Sequence, residues 1–317
     1  MNGRSWLRLL AAVAILAVLV RHVGAGPFLD GLRAVDGGSL AAACLLAVLT
    51  TVCCAWRWRT VAGGLGVDLP LGSAVAAYYR SLFLNLTLPG GVAGDVHRGY
   101  RHGRDTRDVG RGLRAVAWER TAGQVVQAVL TVAVLLVLPS PVPLTVPLLV
   151  LAAAAALVAL ALRARRAGDR PGWRGTVTRE LRHAVLARRA WPVIALASAV
   201  VVAGHAATFL IAAHAAGVSA PLSTLLPLAL LVLLAGALPN VGGWGPREGV
   251  AAWAFAAAGL GAPAGIATSV AFGVMALVAS LPGAVVLVVA WSRRTGTPPW
   301  TVRPPEILPS RNGAADA

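Results

Sequence analysis

The sequence predicts an all-α, polytopic membrane protein. Three observations predict it: the 317 residues are 57% hydrophobic and only 13% charged, the mean hydropathy is +0.74, and uncharged runs of membrane-spanning length recur along the chain. A soluble globule of this size would need more polar surface. All 28 basic residues are arginine, against 12 acidic ones, and alanine, glycine and valine abound. That composition points to a bacterium with a GC-rich genome and to its cell membrane.

A spanning helix takes about 20 apolar residues at 1.5 Å each. Cut at their Pro and Gly marks, the uncharged runs are 6–23, 38–56, 71–88, 115–138, 142–162, 191–215, 221–239, 250–261 and 263–291. The first follows Arg4 and Arg8 and resembles a signal peptide; Pro27 after Gly26 makes a poor cleavage site, so a retained signal-anchor helix is predicted. Cys44, Cys53 and Cys54 fall in or at the end of one apolar run, without metal or disulfide spacing, and read as packing residues.

Arginine placement decides which runs cross, because short cytoplasmic loops are enriched in it. Arg57 and Arg59 follow the second run, six arginines (98, 101, 104, 107, 111, 114) the third, and nine (163, 165, 166, 170, 174, 179, 182, 188, 189) the fifth. These groups share one side only if 71–88 dips into the membrane, breaks at Pro89, Gly90 and Gly91, and returns. The distribution is then 23 arginines inside, two outside (Arg21, Arg33) and three in the membrane (Arg80, Arg120, Arg247), with both termini cytoplasmic.

The second half shows the same pattern from the other face. The run 221–239 ends in "LPNVGGWGPREG" (238–249), and 250–261 is too short to span. Beside "LPGGVAGD" (88–95) this gives Leu-Pro, a glycine pair, a further glycine and then charge, so two re-entrant hairpins in an inverted repeat are expected. The predicted architecture is six transmembrane helices plus these hairpins: a membrane domain over 1–292, with inverted halves about 1–138 and 142–292, and a disordered cytoplasmic tail, 293–317. Asp105 to Arg114 is expected to form a short surface helix capped by Asp105 or Thr106, with its arginines on one face.

Irregular backbone at membrane depth survives only where it is buried in protein or lines a wet cavity. Two broken hairpins therefore imply a polar cavity, where a helix N-terminus favours an anion such as phosphate. Intramembrane charge costs roughly 2.5–3.5 kcal/mol on insertion scales, so Arg80, Glu119, Arg120, Arg247 and Glu248 need partners or a purpose. Glu119, Arg120, Gln124, Gln127 and Thr131 span about 140° of one helix face, which should point into the bundle. Protease, P-loop, nucleophile-elbow and zinc motifs are missing from the sequence. Asp95, His97, His102, Asp105 and Asp108 cluster in sequence and keep open an interfacial transferase.

Three stretches, "YYRSLFLNLTLPGGVAGDVHRGYR" (78–101), "ERTAG" (119–123) and "LPNVGGWGPREG" (238–249), resemble the flippase-like transmembrane domain of lysylphosphatidylglycerol synthases, which also occurs as stand-alone proteins. The resemblance covers roughly 5–292. It implies a domain that moves a lipid between leaflets, without the soluble domain that makes the aminoacylated lipid. It carries over Arg80, Asn85, Asp95, Arg98, Glu119, Arg120, Arg247 and Glu248 as substrate-binding positions. Pro89, Gly90, Gly91, Gly94, Pro239, Gly242, Gly243 and Gly245 mark the breaks. Leu84 and Leu86 stand where family members often have a second Asn near Asn85, which implies a different headgroup.

The expectation is a non-enzymatic flippase or transporter for an anionic or polar-headed phospholipid or glycolipid. Arg80, Arg98 and Arg247 would contact phosphate, and Asp95, Glu119 and Glu248 would pair with those arginines or with a headgroup amine. No cofactor, metal or nucleic acid is expected; the partners are membrane lipids and a lipid-synthesising enzyme or glycosyltransferase. The alternative is a non-catalytic scaffold for an enzyme that modifies cell-envelope lipid or glycan. Oligomeric state, lipid and direction stay open.

Overall fold

The computed structural model describes residues 20–138, 173–238, 240 and 244–295, with the isolated positions 145, 152, 156 and 159. Among them are eleven α-helices and one π-helical turn. They are α1 (Gly26–Arg33), α2 (Gly37–Gly64), α3 (Leu71–Thr87), α4 (Ala93–Asp105), α5 (Val109–Val137), α6 (Trp173–Glu180), α7 (Ala190–Ala215), α8 (Leu222–Ala235), α9 (Pro246–Ala257), α10 (Ala262–Ser280) and α11 (Pro282–Thr295). The π turn, Leu181–Val185, continues α6.

Four stretches are long and apolar enough to cross a membrane: α2, α5, α7 and Ala262–Ser292, which takes in α10 and most of α11. The predicted spans 6–23, of which all but the last turn is concerned, and 142–162 lie outside the described residues. So do Pro239, Gly242, Gly243 and the tail from residue 296.

Burial on α2 is that of a helix in lipid. Leu45, Val48, Leu49, Val52 and Trp56 form an exposed stripe at helical spacing, while Thr50, Thr51, Arg57 and Trp58 face inward. Asp36 starts the helix: its carboxylate accepts the Ser39 N–H at 2.8 Å and the Ser39 hydroxyl accepts the Asp36 N–H at 3.2 Å.

α2 and α7 pack against each other most extensively, and α3, α5 and α10 complete their surroundings. At one end of this bundle Phe209, Leu228, Phe255, Phe272 and Met275 form the main apolar core, with the Phe209 ring 6.3 Å from Phe255 and 5.8 Å from Phe272.

The structure departs from the sequence reading in four places. α2 runs to Gly64 rather than to 56, so Arg57 belongs to the bundle and not to a cytoplasmic loop. The expected surface helix 105–114 does not form: α4 ends at Asp105, Arg107 takes a positive φ of 58°, and Asp108 caps α5 by accepting the Arg111 N–H at 2.8 Å. Asp108 stands directly before the long run to Val137, so the N-terminus forms there instead. The run 263–291 divides at Pro282, whose ring nitrogen cannot donate to a preceding carbonyl. The segment read as an outer loop contains α1, whose Gly31 sits against Ala267 and Val270 of α10.

α4 and α5 approach unusually closely. A Cβ on Gly103 would lie 2.4 Å from the Val109 Cα, and one on Gly112 would lie 2.4 Å from the Gly103 nitrogen and 2.5 Å from the Gly99 oxygen. Only glycine permits such backbone contact. Val92, Val96 and Tyr100 face outward here while Asp95, Arg98 and His102 face inward, which makes α4 polar on its protein side and apolar on its outer side.

Candidate functional site

Both Gly-Pro breaks are followed by a short helix with an acid as its third residue, Asp95 in α4 and Glu248 in α9. The breaks also meet each other. The Gly90 N–H donates to the Asn240 carbonyl at 2.9 Å, and a Cβ on Gly91 would fall 2.7 Å from the Asn240 side-chain oxygen.

Around the first break, two carboxylates hold three arginines. Glu119, fully buried, accepts through Oε1 from Arg57 Nε at 2.9 Å, from Arg57 Nη2 and from the Tyr78 hydroxyl at 3.2 Å; its Oε2 accepts from Arg98 Nη2 at 3.0 Å. Asp95 Oδ1 accepts from the same Arg98 nitrogen at 2.9 Å and from the Ser81 hydroxyl at 3.1 Å. Its Oδ2 accepts from Asn85 at 3.0 Å and from Arg120 Nη2. Asn85 in turn takes the Gly94 N–H at 2.8 Å, satisfying an orphan donor at the start of α4.

Aromatic rings and a distant serine complete this cluster. The Arg98 guanidinium lies 4.5 Å from the Trp58 ring centroid and 4.2 Å from that of Tyr78. Arg57 Nη1 donates to Ser198 on α7 at 2.9 Å. Three guanidinium groups against two carboxylates leave one positive charge over, and the network ties α2, α3, α4, α5 and α7 together.

The second cluster is smaller. Glu248 Oε1 accepts from Arg247 Nε at 3.1 Å, from Arg247 Nη2 at 2.8 Å and from Ser269 at 3.0 Å, while Oε2 takes the Gly245 N–H at 2.7 Å. Arg247 Nε also reaches the Ser269 hydroxyl at 3.0 Å, and its guanidinium lies 5.2 Å from the Phe272 ring centroid. Gly245 holds φ at 119°, a conformation that side chains resist.

Between the clusters lies a cavity of about 290 Å³, whose lining includes Arg120 and Asn85 from the first half of the chain and Arg247 and Asn240 from the second. Gln124, Gln127, His205, Thr50, Thr51, Thr208 and Ser280 add polar groups, and leucine, valine, Phe272 and Met275 supply apolar wall. The Arg120 side chain keeps 38% of its exposure, which this position directs into the cavity. Among the described residues the lining contains two arginines and no carboxylate.

Of the predicted site residues, Asn85, Arg120 and Arg247 therefore line the cavity, with Gly91 among the break residues. Asp95, Arg98, Glu119 and Glu248 stand behind it, holding the arginines or one another. Arg80 is buried on α3, facing the bundle. Asp95, Asp105 and Asp108, which kept a transferase reading open, do not come together: Asp95 joins the ion pairs at one end of α4, and Asp105 and Asp108 flank the turn at the other. His102 packs edge-on to Trp58, 5.3 Å between ring centroids. Arg57, Trp58, Tyr78, Ser81, Ser198, His205 and Ser269 were not singled out from sequence. For Arg57 a signal existed, since Cys54, Arg57, Trp58 and Val61 fall on one helix face.

No curated protein matches the chain. A family model, the lysylphosphatidylglycerol synthase TM region, matches residues 5–283, which include both breaks, both ion-pair clusters and the cavity. The chain is thus an integral, multi-pass membrane protein, and it belongs to the lysylphosphatidylglycerol synthase transmembrane-region family.

Proposed function

We propose that this protein binds the headgroup of an anionic or polar-headed lipid in the cavity between the two breaks and moves that lipid between leaflets. The observation that carries this reading is the cavity's wall, to which Arg120 and Arg247 both contribute, together with polar amides and hydroxyls, within an apolar bundle. Guanidinium groups held from behind by carboxylates are pre-oriented to take phosphate oxygens. At about 290 Å³ the space suits a headgroup and leaves acyl chains outside, along the exposed apolar faces.

The two breaks act as re-entrant hairpins in this reading. Support comes from the order of elements: a long helix, a shorter one, a break, a short helix and a second long helix occur as α2–α5 and again as α7–α10. Halves of opposite orientation would present the cavity to each face in turn. The membrane is a bacterial cell membrane with both termini on its cytoplasmic side, as the arginine distribution supports. The protein acts as a transporter and not as an enzyme, since the polar groups gathered at the cavity are ones that bind and orient.

A leaflet assay tests this. The purified chain goes into liposomes with labelled phospholipids and glycolipids, and wild type is compared with an Arg120→Gln, Arg247→Gln double variant. Faster exchange of one lipid class, lost in the variant, is the expected result. No exchange of any lipid by folded protein would sink the reading and favour a scaffold for an envelope-modifying enzyme.

A further inference from the structure

We infer that the accepted headgroup is an anion without an amine, such as a phosphoglycerol or hydroxylated phosphate, and that aminoacylated, ammonium-bearing headgroups are disfavoured. This rests on the lipid-moving reading above and names the substrate class of the same site.

The argument is a census of carboxylates. The chain has 12 acidic residues. Asp30 and Asp36 lie in α1 and at the start of α2, Asp68 lies between α2 and α3, and Asp105 and Asp108 flank the α4–α5 turn. Glu180 is taken by Arg114 at 2.7 Å and by the Trp118 indole N–H at 3.1 Å. Asp169, Glu306 and Asp316 lie outside the described residues. Among the described carboxylates that leaves Asp95, Glu119 and Glu248 near the cavity, and none of them lines it.

Nor can these three turn toward a ligand cheaply. Every one of their six oxygens already accepts at least one hydrogen bond, and each carboxylate is paired with at least one guanidinium. A headgroup ammonium entering the cavity would meet two guanidinium groups and, among the described residues, no counter-charge. Desolvating an ammonium without a partner is costly, and like charge adds to the cost. Phosphate meets the reverse situation. The Arg120 side chain borders the cavity with part of its surface exposed, so an anionic oxygen there finds charged N–H donors. Hydroxyls suit Gln124, Gln127, Asn85 and His205, which donate and accept without charge.

The test reconstitutes the full chain in liposomes with labelled phosphatidylglycerol, its lysyl ester or phosphatidylethanolamine, and adds a Gln127→Glu variant. Residue 127 is seven positions from Arg120, about 10 Å along the helix, so a new carboxylate there meets the cavity before it meets that guanidinium. Phosphatidylglycerol should exchange at least tenfold faster than the lysyl lipid, and the variant should narrow that ratio. Equal rates, or faster exchange of the lysyl lipid, overturn the inference and leave lipid movement standing. No exchange of any lipid overturns both. Free glycerol phosphate identifies the source: uptake of it without lipid exchange would keep the anion preference and replace the lipid by a soluble ligand.

Discussion

The two ion-pair clusters occupy equivalent places after their breaks, yet they are built to different specifications. Each has an acid at the third helical residue, an arginine against an aromatic ring, a serine on a neighbouring helix, and a glycine beneath a guanidinium. The first joins five helices; the second joins α9 to α10 and is otherwise local. A network that spans the bundle fixes its helices in place, whereas a local one lets its helix shift as a unit. We therefore regard the α2–α5 side as the anchor and the α9–α10 side as the more adjustable part.

The largest expected effect separates the two carboxylates. Glu119→Gln leaves Arg57 buried without a carboxylate and leaves Arg98 to share Asp95 with Arg120, which should cost about 3–5 kcal/mol and leave little folded protein. Glu248→Gln should cost less, about 1.5–3 kcal/mol, because Arg247 borders the cavity and can hydrate there. Apparent melting temperatures in one detergent rank the pair, and equal losses would break the distinction between anchor and adjustable side.

The glycines give the next contrast. A Cβ on Gly123 would stand 2.6 Å from Arg57 Nη1, and one on Gly273 would stand 2.6 Å from Arg247 Nη2. Arg57 is pinned by Glu119 and Ser198 and cannot yield, so Gly123→Ala should destabilise by about 1–3 kcal/mol. Arg247 can swing toward the cavity, so Gly273→Ala should keep most of the stability and lose lipid exchange. Thermal scans and the leaflet assay together resolve the two outcomes.

The smallest effect reverses the order. Ser269 donates to Glu248 and accepts from Arg247, whereas Ser198 accepts from Arg57 and donates to the Ile194 carbonyl of its own helix. Ser269→Ala should therefore cost slightly more than Ser198→Ala, both within about 0.5–1.5 kcal/mol. A larger loss at Ser198 would place the anchor in the α2–α7 contact instead of the carboxylates.

Sequence periodicity and Pro-Gly punctuation place α3, α8 and α9 to within about four residues, because each of those boundaries rests on local chemistry, whereas α4, directly after the first break, reads in sequence as part of an arginine-rich loop. The inward stripe Arg120, Gln124, Gln127 was legible for the same reason, and all three line the cavity. Arg57 is harder to read. An arginine following an apolar run looks like the end of a span; the helical spacing of Cys54, Trp58 and Val61 hints that the helix continues, and Glu119, 62 residues away, supplies the partner that lets the charge stay inside it. The separation of wall from backing was also hidden, since which of Arg98 and Arg120 faces the cavity depends on the angle at which α4 meets α5. Adjacent charges at 119 and 120 look alike in sequence, but one is the anchor's centre and the other the cavity's wall.

The close α4–α5 crossing has a consequence for how this protein tolerates change. Gly103 and Gly112 leave no room for a single added carbon, while Arg104, Arg107 and Arg111 beside them are exposed. Random substitution across this turn should thus sort cleanly: the arginines exchange freely for other polar residues, and the two small, uncharged positions are where viable variants run out.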